Sequence, residues 1–211
     1  MIDKDLIERT KGFLDPDEGC KLYEVAKAAG RLGPGLEIGS YCGKSALYLG
    51  AGLRESGSVL FSIDHHRGSE EHQPGEEYCD TDLIDPATGR IDTFVFFRQT
   101  LSQGGLEQTV IPIVGASEIV ARQWATSLSL VFIDGGHSLA SARADYESWA
   151  DHILPGGFLL IHDIFTDPAE GGQAPRQVYE MALASGMFAA DDKVNTLGVL
   201  KRQSVNRAKR P

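Results

Sequence analysis

The chain has 211 residues, enough for one domain with decorations or at most a large domain and a small one. Apolar residues make up 42% and charged residues 24%, and no apolar run approaches the roughly 18 residues that span a bilayer. Collagenous, low-complexity and transmembrane classes are thereby excluded. So is general nucleic-acid binding, because 20 basic against 30 acidic residues give a net charge of −10 and no surplus to neutralise phosphates.

In chain order, Asp15-Pro16-Asp17 starts a helix that runs through Cys20 to Ala29 and ends near Gly30. Gly35 to Gly39 is a short buried strand. Gly43 to Arg54 is a helix, with Ala46, Leu47, Leu49, Ala51 and Leu53 apolar, and Val59 to Ile63 a second strand. Residues 65–90 then break the rhythm with a polar stretch, and a loop of that length reads as a lid over a ligand. The alternation resumes with a helix at Asp92 to Gln103, a strand at Val110 to Val114 and a helix at Ser117 to Ala125. A strand at Leu128 to Ile133, a helix at Leu139 to His152 and a strand at Phe158 to Ile161 follow. A helix at Arg176 to Ser185 and a hairpin of Met187 to Ala190 with Leu197 to Leu200 close the chain.

Strands alternating with helices imply an α/β, doubly wound, Rossmann-like sheet. About seven mostly parallel strands are expected, with a C-terminal antiparallel hairpin and helices on both faces. One domain over residues 1–200, with 65–90 as its insertion, leaves a tail, 201–211, that holds five basic residues and no acid. The tail reads as a solvated terminus. Cys20, Cys42 and Cys79 form no paired set, and Met1 to Lys11 lacks the apolar core of a signal peptide, so a reduced, cytoplasmic protein is expected.

A doubly wound sheet binds ligands at the carboxyl ends of its strands. There the chain puts Glu37, Gly39, Ser40, Asp64, His65, Asp134, His137, His162 and Asp163. The first strand-to-helix turn, Glu37-Ile38-Gly39-Ser40-Tyr41-Cys42-Gly43-Lys44-Ser45, is neither the dinucleotide pattern G-x-G-x-x-G nor a Walker A loop. Glu37 beside the turn would repel a pyrophosphate and suit an ammonium or sulfonium charge. Asp64 ends the second strand, where an acid accepts both hydroxyls of a ribose. Together they point to an adenosine ligand without phosphates.

Glu37-x-Gly39-x-x-x-Gly43, Asp64 and Asp134, each after a strand, resemble the class I S-adenosylmethionine-dependent methyltransferases over roughly Gly35 to Leu200. The resemblance is to the catechol O-methyltransferase-like and the sugar- and antibiotic-type branches. It implies that Glu37, Gly39, Ser40 and Gly43 receive the methionine part of the cofactor. It also implies that Asp64, with His65 beside it, meets the ribose, and that Gly115-Ala116-Ser117 lies near the adenine. Asp134 counts with the cofactor residues as well as with the catalytic ones.

In the catechol-type branch, acids at the positions of Asp134 and Asp163 hold Mg²⁺, which binds the substrate hydroxyl. An Asn follows the second acid there, whereas Ile164 stands here. Two arrangements stay open: Mg²⁺ on Asp134 and Asp163, or His137 as general base with Asp134 and Asp163 beside it. His162 reads as orienting its neighbours. His65, His66 and His72 read as lid or substrate contacts. The expectation is a cytoplasmic methyltransferase using S-adenosylmethionine on a hydroxyl of a small molecule, with no nucleic-acid or membrane partner; a homodimer stays open. The rivals are an NAD-dependent oxidoreductase, weakened by Glu37 and the missing third glycine, and a non-catalytic adenosyl-ligand-binding protein.

Overall fold

The computed structural model describes residues 3–69, 73, 75, 80–136 and 138–204. A short helix α1 (Lys4–Arg9) precedes α2 (Pro16–Ala29). Asp15 caps α2 by accepting from the Asp17 amide at 2.8 Å, and Glu18 answers by accepting from the Asp15 amide at 3.3 Å. Next come β1 (Gly35–Ile38), α3 (Lys44–Glu55) and β2 (Leu60–Asp64). A small hairpin, β3 (Ile84–Asp85) with β4 (Arg90–Ile91), leads into α4 (Phe94–Gln103), β5 (Val110–Val114) and α5 (Ser117–Ala121). The remainder is β6 (Leu128–Ile133), α6 (Leu139–Trp149), β7 (Ile153–Ile161), α7 (Ala174–Ala184), β8 (Phe188–Val194) and β9 (Leu197–Arg202).

Seven strands form one sheet in the order β5-β2-β1-β6-β7-β9-β8. The first five are parallel; β9 runs antiparallel to β7, and β8 to β9. This is the expected doubly wound sheet with its terminal hairpin. β6 is buried along its whole length, which is why Leu128 to Ile133 reads as an unbroken apolar run. Phe132 and Leu130 face the helices α2, α3 and α4, while Val131 and Ile133 face Trp149 of α6 and Val178 of α7. Each such fully buried side chain contributes roughly 1.5–3 kcal/mol.

The register positions the site. Ile38 pairs with Ile63 on one side and Ile133 on the other, and Ile133 pairs with Ile161. The residues that follow, Gly39, Asp64, Asp134 and His162, therefore stand in one row at the carboxyl edge of the sheet.

Three sequence readings are corrected. β7 begins at Ile153, not Phe158, because Pro155-Gly156-Gly157 sits inside the strand beside an irregularity in its pairing with β6 between Leu128 and Leu130. The helix after β5 stops at Ala121, four residues early. The 65–90 stretch is not uniformly polar loop: Leu83 and Ile91 pack on Cys42 as a small apolar cluster that anchors the β3–β4 hairpin. Among the described residues, no helix is long and apolar enough to cross a membrane.

Candidate active site

A cavity of about 500 Å³ opens over that row, within the size range of small-molecule and cofactor sites. The turn from β1 to α3 forms its floor. Gly39 and Gly43 take φ of +87° and +92°, which lets the backbone bend sharply and leaves the start of α3 without a side-chain cap. Asp64 holds the turn in place. Its Oδ2 accepts from the amides of Ser40 and Tyr41, both at 2.9 Å, and its Oδ1 from the amide of His66 at 2.7 Å. With three of about four lone-pair positions used, Asp64 still lines the cavity beside His65, which is half exposed.

Glu37 lies beneath the turn rather than on the cavity wall. It is fully buried, is not among the lining residues, and accepts from Ser62 Oγ at 2.6 Å and Ser45 Oγ at 3.0 Å. Ser40 Oγ meets Ser62 Oγ at 2.5 Å, so the carboxyl braces the turn from below. Burial pushes the Glu37 carboxyl up to about 7, helped by Asp134 and Asp64 and opposed by the two serines. A raised folded-state pKa means that the proton binds more tightly in the folded protein. Its stabilisation is complete below the ordinary value near 4.5 and lost as pH rises through about 7. Above pH 7 the buried carboxylate should cost about 3 kcal/mol. Glu37→Gln cannot ionise, so in the ligand-free protein its stability relative to wild type should climb by that amount between pH 4.5 and 8. A difference that stays flat in denaturant titrations across this range would refute the assignment.

Ser117 lies at the opposite end, with Gly115, Ala116 and Glu118 on the wall. It is buried and accepts from Trp149 Nε1 at 2.7 Å. Beside it stands Asp145 of α6, buried, lining the cavity and unread in the sequence. Burial pushes the Asp145 carboxyl up to about 6, against a hydrogen bond from Ser117. Lys11, Gly12, Phe13 and Leu14 close the mouth, another contribution that the sequence reading missed. Lys44 Nζ donates to Gly12 O at 3.1 Å, and Lys11 pairs with Asp80 at 2.5 Å and Asp82 at 2.9 Å.

Asp134, His162 and Asp163 come together on the cavity wall at the ends of β6 and β7. His162 Nδ1 faces Asp134 Oδ1 at 3.1 Å and Asp163 Oδ1 at 3.4 Å. Its Nε2 donates to Glu18 Oε2 at 2.8 Å. Burial disfavours charge on His162, but Asp134, Asp163 and Glu18 outweigh it and hold the ring's pKa well above the ordinary value. Asp163 has φ +58°, a conformation uncommon for non-glycine residues but one in which Asn, Asp and His are enriched. One ligand atom from each of Asp134, His162 and Asp163 lies within 4.8 Å of the others. Two carboxylates at that spacing fit a hard divalent cation such as Mg²⁺. His137, the expected general base, and His72 lie outside the described residues.

Residues 36–164 match the model of a family described as a methyltransferase domain. The chain belongs to this family. The fold is also that of an O-methyltransferase from Bacillus cereus solved with S-adenosylhomocysteine, at 17% identity, TM-score 0.67, 95% of this chain and 92% of that one. A Corynebacterium glutamicum protein matches at 16% identity, TM-score 0.70, 98% and 94%. The O-methyltransferase TomG of Streptomyces achromogenes, from tomaymycin synthesis and solved with S-adenosylmethionine, matches at 15% identity, TM-score 0.65, 96% and 91%.

Proposed function

We propose that the chain methylates a hydroxyl oxygen of a small molecule with S-adenosylmethionine. The observation that carries this reading is the glycine turn laced to Asp64 beneath a cavity whose far end holds Asp134 and Asp163. Solved structures of the same fold bind S-adenosylmethionine or its product, which supports the choice of cofactor. The cofactor would supply a methyl group on a cationic sulfur, and the carboxylates of Asp64, Asp134, Asp163 and Glu118 around the cavity suit that charge. Gly39, Ser40 and Gly43 would seat the methionine end, Asp64 and His65 the ribose, and Ser117 the adenine. Residues 11–14, and the 65–90 segment acting as a lid, would exclude water from the acceptor. The unpaired Cys20 and Cys42 support a reducing, cytoplasmic setting. The net charge supports a small acceptor over a nucleic acid.

The acceptor hydroxyl must lose a proton as its oxygen approaches the methyl carbon. Asp134 and Asp163 face the space where that hydroxyl would lie, and in this reading His137 takes the proton. Mg²⁺, were it bound, would be held by Asp134 and Asp163 and would make a coordinated hydroxyl more acidic. The experiment is turnover, read as S-adenosylhomocysteine release with a panel of phenols, catechols and hydroxylated sugars. Activity should survive EDTA, and His137→Ala should lower the rate by about 10²–10⁴. Full loss in EDTA, reversed by Mg²⁺, would move the role from His137 to the metal. The chief rival, a nicotinamide-dependent oxidoreductase, has no support from the family match.

A further inference from the structure

Glu18 is a charged residue where none is needed for packing. It is 2% exposed, on α2, and engaged on both oxygens. Oε2 accepts from His162 Nε2 at 2.8 Å and from the Asp15 amide at 3.3 Å. Oε1 accepts from the Thr196 amide and from Thr196 Oγ1, both at 2.8 Å. Buried ion pairs are a poor route to stability, since an apolar residue of similar size often serves as well.

The other side of His162 gives the pair its meaning. The ring's Nδ1 is turned to the gap between Asp134 and Asp163, two carboxylates that would otherwise repel each other across the reacting end of the cavity. A histidine ring free to rotate about its last side-chain bond could present either nitrogen, or neither. One buried acceptor on Nε2 removes that freedom, in the way that outer partners fix ligating histidines. We propose that Glu18 is a positioning residue: through His162 it aims an N–H donor at Asp134 and Asp163 and so holds the two carboxylates in their reactive arrangement. The inference rests on reading the cavity as a methyl-transfer site. Glu18 itself is not among the residues lining that cavity.

The test uses the full chain labelled with ¹⁵N and long-range ¹H–¹⁵N spectra of the histidine rings, with His162 assigned from a His162→Gln sample. In wild type both ring protons of His162 should give slowly exchanging, downfield signals. In Glu18→Gln, whose oxygen keeps facing Thr196 and whose amide N–H then faces His162, Nε2 has no acceptor and its proton signal should disappear. Thr196→Val, which removes only the hydroxyl contact, should leave both signals intact. Titration of wild type with S-adenosylhomocysteine tests the underlying methyl-transfer reading separately. Unchanged ring signals in a folded Glu18→Gln would overturn the proposal. Ring protons of wild-type His162 that exchange as fast as those of the half-exposed His65 would do so without any variant. Absence of S-adenosylhomocysteine binding to wild type would instead count against the methyl-transfer reading, leaving the ring signals to be judged separately.

Discussion

Gly39→Ala is expected to abolish measurable binding of S-adenosylhomocysteine and to lower the stability of the whole fold. A Cβ at residue 39 would lie 2.0 Å from the carbonyl oxygen of Asp134 and 2.6 Å from its carbonyl carbon. Both atoms are backbone, so no rotamer change relieves the overlap. The residue also has φ +87°, a region that costs an L side chain roughly 1–2 kcal/mol before any clash. β1 and the segment after β6 must therefore separate just where the turn and Asp134 meet. Affinity should fall by at least about a hundredfold, near 3 kcal/mol. Calorimetry and thermal melting read the two effects. A variant that melts like wild type and binds the ligand equally well would show that the turn is far looser than its geometry implies.

The second large effect is expected at Asp64. Asp64→Ala strips the acceptor from three backbone amides, those of Ser40, Tyr41 and His66, as well as from a bound ribose. Hydrogen bonds to a charged group are worth about 1.5–3 kcal/mol each, and they are not additive. A loss of about 2–4 kcal/mol in S-adenosylhomocysteine affinity is expected, roughly 30- to 1,000-fold. Asp64→Asn keeps one acceptor oxygen and should fall between wild type and alanine. Equal affinity of a folded Asp64→Ala would put the ribose elsewhere in the cavity.

The same two residues show how far the sequence carries. Gly39 and Asp64 were legible because strand ends and turns leave local marks: an apolar run, a glycine, an acid at a fixed distance. The limits of β5 and β6 were legible for the same reason, since Val110 to Val114 and Leu128 to Ile133 are bounded apolar runs. β7 was half read because Pro155-Gly156-Gly157 carries the local mark of a turn, while its pairing with β6 draws it into the sheet. Glu37 was legible as a residue of the turn, but its surroundings were not. Only the side-chain positions of Ser45 and Ser62 show that it points beneath the turn rather than into the cavity.

Glu18 and Asp145 were missed for a different reason. Each sits on a helix where an acid is locally unremarkable, Glu18 as half of a capping box and Asp145 on an apparently polar face. Their partners are distant in the chain: His162 lies 144 residues from Glu18, and Ser117 is on another element. A single sequence holds no local trace of such pairings. The contribution of residues 11–14 to the cavity mouth was hidden likewise, because only tertiary contact brings Lys44 to Gly12 and Lys11 to Asp80.

The cavity should accept a phosphate-free adenosyl ligand. Calorimetric titration of the purified chain with S-adenosylhomocysteine and, separately, with NAD tests it most directly. S-adenosylhomocysteine should bind at micromolar concentration or tighter, about −8 kcal/mol or better, and NAD should give no heat. Tight NAD binding with no response to S-adenosylhomocysteine would contradict it.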